Sequence, residues 1–375
     1  MLSLMLLSGL PAVVLAQPSA QIDLSASYDD NVFLSPQKIG DFIYDTDLTL
    51  GYTFGDTATS VYYSANGLLY QYNPVRNLLL NKIGISHNRE FGATGQHWLY
   101  LGANAEDRRN TETFNYYNYQ QGYAYVNLRL NLNGTFLRLG VNARYRNYPS
   151  IPELTNFQEY LFLQLSRSFQ TRTTLMMESN LGFKSFQAVE TWVPVSVGIN
   201  GNERYMLVEE RIPGMSQLAL TFRVAQSLHD RVGLYVQYSG QYVLNDTGRT
   251  NSTDYFQDEE LFDDPFSYRS SGLSSRLTII LPGNLSILAG GGYTTKHYVS
   301  ETSYLSAEDA VGEGDLREDQ RWNAYLKLSK TFLLKTPWMN AIKPYLSYSY
   351  LNNASNSYWY EYNYNYVNLG ILFDF

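Results

Sequence analysis

Apolar and polar side chains alternate along most of this chain. Within 231–244, Val232, Leu234, Val236, Tyr238 and Tyr242 share one parity, and Tyr235, Gln237, Ser239 and Gln241 share the other. Gly122, Ala124, Val126, Leu128 and Leu130 interleave with Tyr123, Tyr125, Asn127 and Arg129. Trp322, Ala324, Leu326, Leu328 and Phe332 interleave with Asn323, Tyr325, Lys327 and Ser329. A period of two is that of a β-strand with one apolar face. Sixteen such stretches can be read, at 20–33, 41–54, 58–72, 78–89, 96–108, 116–131, 135–148, 157–169, 172–186, 215–228, 231–245, 267–281, 284–299, 320–334, 340–351 and 357–375. Strands of soluble sandwiches usually have about 5–6 residues. These run past ten, near the ~9–11 that cross a bilayer at a tilt.

The connections alternate in length. Gly55-Asp56-Thr57, 131–134, Gln170-Thr171, His229-Asp230, Pro282-Gly283 and 335–338 are short, while 187–214, 246–266 and 300–319 are long and polar. Short turns on one side and long loops on the other predict an all-β fold. It is a transmembrane antiparallel up-and-down β-barrel of about sixteen strands, with fourteen or eighteen as alternatives. An even number puts both termini on the short-turn side. The uncertain segment is 193–211. Val193 to Ile199 alternates and meets Asn200-Gly201, a hairpin signal, but the return arm carries Glu209, Glu210 and Arg211. It reads as a hairpin inside the fifth long loop. A barrel of sixteen to eighteen strands is wide enough for an aqueous channel.

Composition fits this picture. The 375 residues include 34 tyrosines, and aromatics reach 15%, which suits strands and interfacial girdles. A net charge of −8 argues against a nucleic-acid partner, and the absence of cysteine permits an oxidising compartment. Met1 to Ala16 is apolar and closes on Val14-Leu15-Ala16, as a secretory signal peptide does, though no Lys or Arg precedes it. The remaining span, 17–375, is expected to form one barrel domain.

The inward parity carries the candidate chemistry. Arg129, Arg138, Arg144, Arg146, Arg223, Arg276 and Lys327 fall on it, and so do Asp23, Asp29, Asp45 and Asp47 of the first two strands. A basic arc facing an acidic one would set a transverse field across a pore. The alternative is that these charges pair and fill the lumen. Tyrosines share the same parity: Tyr62, Tyr70, Tyr100, Tyr123, Tyr125, Tyr235, Tyr325, Tyr345, Tyr362, Tyr364 and Tyr366. Aromatic faces beside hydroxyls suit a saccharide, while the bland reading is a favoured strand residue. The acids of the long loops, Asp254, Asp258, Glu259, Glu260, Asp263, Asp264, Glu308, Asp309, Glu313 and Asp315, read as solvated charge. His229-Asp230 falls in a short turn, the wrong side for a protease-type pair at the outer rim. His87, His97 and His297 are isolated, none with a Ser two residues on or a carboxylate cluster at metal spacing. No enzyme, metal or cofactor is expected.

Two stretches resemble known outer-membrane proteins. The last eight residues, Asn368-Leu369-Gly370-Ile371-Leu372-Phe373-Asp374-Phe375, resemble the terminal signal that such barrels present to the barrel assembly machinery. Gly370, Phe373 and Phe375 are its assembly-signal residues. Tyr28-Asp29-Asp30-Asn31-Val32-Phe33-Leu34-Ser35-Pro36, with Asp41 and Asp45 following, resembles the opening of the β-barrel porin-2 type, found beside exopolysaccharide systems. The resemblance implies the outer membrane of a Gram-negative bacterium, lipid and lipopolysaccharide around the barrel, and a porin-like channel for small polar solutes or saccharides. A plugged barrel serving polysaccharide export is the alternative. Trimeric general porins carry a constriction loop after the fifth strand. Here the long loop follows the ninth.

Overall fold

A strand with an apolar face cannot satisfy its backbone alone, and in hydrocarbon no open edge is tolerated. Closure into a barrel meets both demands. The computed structural model describes residues 17–54, 58–92, 95–197, 202–210, 213–245, 264–334, 336 and 338–375. Its first nine strands are β1 (Gln17–Asp29), β2 (Asp41–Phe54), β3 (Thr59–Tyr70), β4 (Leu78–Phe91), β5 (His97–Asn110), β6 (Tyr119–Leu132), β7 (Thr135–Asn147), β8 (Asn156–Ser168) and β9 (Thr173–Phe186). A hairpin follows, β10 (Val189–Val197) and β11 (Asn202–Glu210). The rest are β12 (Met215–His229), β13 (Val232–Val243), β14 (Tyr268–Leu281), β15 (Leu285–Thr302), β16 (Leu316–Lys330), β17 (Phe332–Leu333), β18 (Ala341–Ser355) and β19 (Tyr362–Asp374).

Apart from β10, β11 and the two-residue β17, sixteen strands form one antiparallel up-and-down sheet. Each of the sixteen is 12–18 residues long. The sheet closes where β1 pairs with both β2 and β19, and β9 pairs across the hairpin with β12. The β10–β11 hairpin pairs only with itself, which removes the eighteen-strand alternative. The outer face is a band of exposed apolar side chains, among them Leu24, Leu69, Ile83, Val126, Val141, Leu163, Phe222, Val236, Leu273 and Leu369. Exposed rings flank it, with Tyr28, Phe42, Tyr145 and Tyr242 toward the long loops and Tyr52, Phe54, Phe169 and Trp338 toward the short turns. This is the architecture of an outer-membrane β-barrel.

Most departures from the sequence pattern lie at the long-loop end; at the short-turn end the expected 320–334 strand breaks, β16 stopping at Lys330 and β17 following as a separate piece. β1 stops at Asp29 rather than running to Phe33, because the Asp29 carboxylate accepts the Asn31 amide at 2.8 Å and turns the chain. Asn31, wholly buried, then donates to the carbonyls of Ser35 and Asn363 at 2.8 and 3.1 Å. Tyr116 belongs to a 3-10 helix, Glu112–Tyr117, and not to a strand. β19 begins at Tyr362, after the 3-10 helix Tyr358–Tyr360, and not at Ser357. β15 and β16 extend past the expected 299 and 320 because their charged ends are buried partners and not loop. Arg317, with no accessible surface, bonds Glu301 at 2.9 Å and Asp319 at 2.6 Å.

Buried apolar groups also gather at that end. Tyr148, Ile151 and Leu154 form one cluster, and Phe186, Met215 and Phe266 form another. Asp264 is a correction to the reading of solvated loop acids: it is buried and ion-paired with Lys184. The expected leader at 1–16, the Gly55-Asp56-Thr57 turn, Asn200-Gly201, and Asp254, Asp258, Glu259, Glu260 and Asp263 lie outside the described residues.

Candidate functional site

The pairing register decides which residues share the inner face. Asp47 pairs with Asn66, Asn66 with Leu80, Leu80 with Arg108, and Arg108 with Tyr119. Directly paired residues project to the same side of a sheet. Continued around the ring, the inner face receives Asp23, Asp29, Asp45, Asp47, Arg129, Arg138, Arg144, Arg146, Arg223, Arg276 and Lys327. Tyr123, Tyr125, Tyr235 and Tyr325 join them. Every residue expected on the inner parity is therefore on one surface.

The cations are held by rings rather than by carboxylates. Arg129 and Arg138 are direct cross-strand partners, an arrangement that like charges oppose. Arg129 lies over Phe136 and Trp98, at 4.2 and 4.9 Å from their ring centres. Arg138 lies over Tyr100 at 5.7 Å and Arg144 over Tyr123 at 5.7 Å. Tyr235 is flanked by Arg223 at 4.8 Å and Arg276 at 4.7 Å, and Lys327 lies over Tyr345 at 4.1 Å. A ring face attracts a guanidinium through its quadrupole without neutralising the charge. Among the described residues, no carboxylate stands within ion-pair distance of Arg129, Arg138, Arg144, Arg223, Arg276 or Lys327. The Nε atoms of Arg138, Arg144 and Arg276 are buried and lack a hydrogen-bond acceptor. Arg146 is more engaged, donating twice to Gln121 Oε1, at 2.7 and 3.1 Å, and to Tyr148 Oη at 3.2 Å.

The acids sit apart from these cations, on β1 and β2. One amide nitrogen of Asn66 donates to both Asp45 and Asp47, at 2.7 and 2.8 Å. Tyr345 donates to Asp23 at 2.9 Å. The two arcs do not cancel each other by direct pairing. Lys82 and Glu106, on β4 and β5, do pair, at 2.5 Å.

Several inner tyrosines have a structural position that sequence parity does not reveal. A Cβ added to Gly84 or Gly102 would come within 2.5 Å of the rings of Tyr62 and Tyr125, respectively. Tyr325 covers Gly290 and Tyr345 covers Gly370 in the same way. These rings lie flat on the backbone of the adjacent strand. They line the wall without projecting far from it.

The histidines are dispersed. His87 Nδ1 and Thr59 Oγ1 are hydrogen-bonded at 2.8 Å, and His297 stands 3.2 Å from Glu318. Sequence reading missed further cations of the long-loop end, among them Arg76, Arg108, Arg317 and Arg321. The parity of Asn323 and Tyr325 extends to Arg321 and Arg317, so that signal was present. Arg76 lies in the 3-10 helix Pro74–Arg76, where parity says nothing.

No family model matches the chain, and no curated protein matches it. Its fold is similar to Pseudomonas aeruginosa OprD, at 10% identity over 96% of this chain and 95% of that one, with a TM-score of 0.49. P. aeruginosa OpdK with vanillate gives 10% identity over 96% and 98%, with a TM-score of 0.48. P. aeruginosa OccK2 (OpdF) in complex with glucuronate gives 11% over 96% and 98%, with a TM-score of 0.46.

Proposed function

We propose that this barrel is a porin-like channel for small polar solutes, with a wall that favours anions and accepts saccharides carrying a carboxylate. The observation that carries the proposal is the set of six inner-face cations stacked on rings with no carboxylate partner among the described residues. These side chains are half-buried, and a buried N–H without an acceptor, as at Nε of Arg138, Arg144 and Arg276, is costly, so their retention on one surface makes sense where water and passing anions supply the missing acceptors. Rings beside the cations offer a stacking surface to a sugar.

The test is single-channel recording in planar bilayers under a salt gradient. Anion-selective steps are expected. Replacing Arg138, Arg144 and Arg146 together with Ser should shift the permeability ratio toward cations roughly several-fold, because each removed charge lowers the local anion concentration. Unchanged reversal potentials would reject these residues as lining the path. A second reading is a plugged barrel that anchors a polysaccharide export system. It is favoured by the density of buried groups at the long-loop end, where Phe266 is 1% and Tyr360 3% exposed. A folded barrel that never conducts would select it.

A further inference from the structure

Near the long-loop end the inner wall opens into a cavity of about 510 Å³. Its walls come from both sides of the β1–β2 hairpin: the ends of β3, β4 and β5 on one side and β16, β18 and β19 on the other, with Leu34 above. Three guanidinium groups, Arg76, Arg108 and Arg321, converge on it, and Leu68, Leu78 and Leu351 line it between them.

Arg76 is the informative member. Its guanidinium carbon lies 5.0 Å from the centre of Phe33, 5.7 Å from Tyr70 and 5.8 Å from Phe114. Rings thus surround the cation, while no hydrogen bond or ion pair to its side chain forms among the described residues. Asp29 interacts with it electrostatically without forming an ion pair, and that carboxylate accepts the Asn31 amide. Stacked rings fix the plane of a guanidinium and leave its N–H fork open at the edge. Such a fork matches the two oxygens of a carboxylate. Arg108 is fixed by Asn110 at 2.9 Å, and Arg321 by Asn353 and Tyr362, both at 3.2 Å. All three are thereby held toward one space before any ligand arrives.

We infer that this cavity is a binding site for a small carboxylate with an apolar ring or chain, the carboxylate on the Arg76 fork and the apolar body against the leucines. This rests on the channel reading for its purpose, as a holding site at the mouth, but not for its chemistry. Tyr70, Phe114, Tyr117, Tyr362 and Tyr364 share the lining with the leucines, so a flat apolar body is favoured over a fully hydroxylated one, and the site differs in preference from the stacked cations lower in the lumen.

The test is calorimetric titration of the refolded full-length barrel in detergent with benzoate, benzyl alcohol and galacturonate. Benzoate should bind at least about tenfold more tightly than either, since a charge-assisted fork and apolar burial each contribute on that scale. Arg76→Gln should weaken benzoate by about tenfold, and Arg76→Lys, which keeps the charge without the fork, should weaken it less. Benzyl alcohol binding as well as benzoate would remove the cationic site. Galacturonate binding as well as benzoate would remove the apolar one. Should Arg76→Gln fail to refold, the ligand comparison on the unaltered barrel still decides. Conductance without benzoate binding would overturn this site and leave the channel standing. Binding in a silent barrel would do the reverse.

Discussion

Several inner tyrosines serve two ends, and for Tyr62, Tyr125, Tyr325 and Tyr345 a glycine of the adjacent strand decides which dominates. Tyr62 lies over Gly84 and Tyr125 over Gly102 because only a residue without a Cβ leaves room for the ring. Replacing Gly84 with Val should drive Tyr62 off the wall and into the lumen. Overpacking of this kind costs about 1–3 kcal/mol. The expected outcome is a lower urea midpoint for unfolding together with a smaller conductance, and Tyr62→Ala in the same chain should restore part of both. An unchanged midpoint would mean the ring has another resting place. The arginines follow a related logic. Arg129 opposite Arg138 would be a poor pair on a dry sheet. It is tolerated where rings hold the guanidinium planes and solvent screens the charge.

The elements differ in how strongly they are tied to the barrel. The β10–β11 hairpin pairs only with itself, so deleting 189–210 should leave the barrel's heat-resistant electrophoretic mobility intact. Loss of that mobility would show the hairpin to be part of the wall. The loop between β15 and β16 is organised by one side chain. Asp309 accepts the amides of Leu305 at 2.9 Å, Gly312 at 2.8 Å, Glu313 at 3.0 Å and Val311 at 3.2 Å. These bonds, the Leu305 amide foremost, hold its carboxyl below the ordinary 3.8. A depressed carboxylate stabilises the fold above its unfolded value and loses that contribution as pH falls through the folded one. The protection factors of the Val311, Gly312 and Glu313 amides should therefore hold from neutral pH down to 3.8 and fall only as the pH drops further. Asp309→Ala should exchange fast throughout. Equal protection in the two proteins would dismiss this role of Asp309.

The whole molecule depends on its seam, where the first and last strands meet. Ile22 pairs with Phe373 and Leu24 with Ile371. Across this junction Tyr345 of β18 passes over Gly370 of β19 and bonds Asp23 of β1 at 2.9 Å. Gly370, read from sequence only as part of a terminal signal, is thus also the floor that lets three strands be bridged by one side chain. Gly370→Leu should sharply reduce the fraction of chains that refold to the heat-resistant form. Asp23→Ala, which removes one hydrogen bond, should cost about 1 kcal/mol and leave refolding complete. Normal refolding of Gly370→Leu would deny the seam this role. Period-two patterning located the strands and their facing from sequence alone, because the bilayer imposes the same demand on every strand: apolar outward, paired throughout, closed. Their number, sixteen against fourteen or eighteen, was decided by the pairing of β10 with β11 alone. The bilayer's demand is local, so it is written locally, in Val126 beside Tyr125 and Val236 beside Tyr235. Strand ends were less legible. Arg317 looks like loop charge until Glu301, sixteen positions earlier in the chain, is seen to bond it. Which cations keep partners, which tyrosines lie flat and where three arginines meet depend on neighbours across the ring, as Arg76 and Arg321 do at one cavity. Those contacts join residues far apart in the chain, and only closure of the barrel brings them into range.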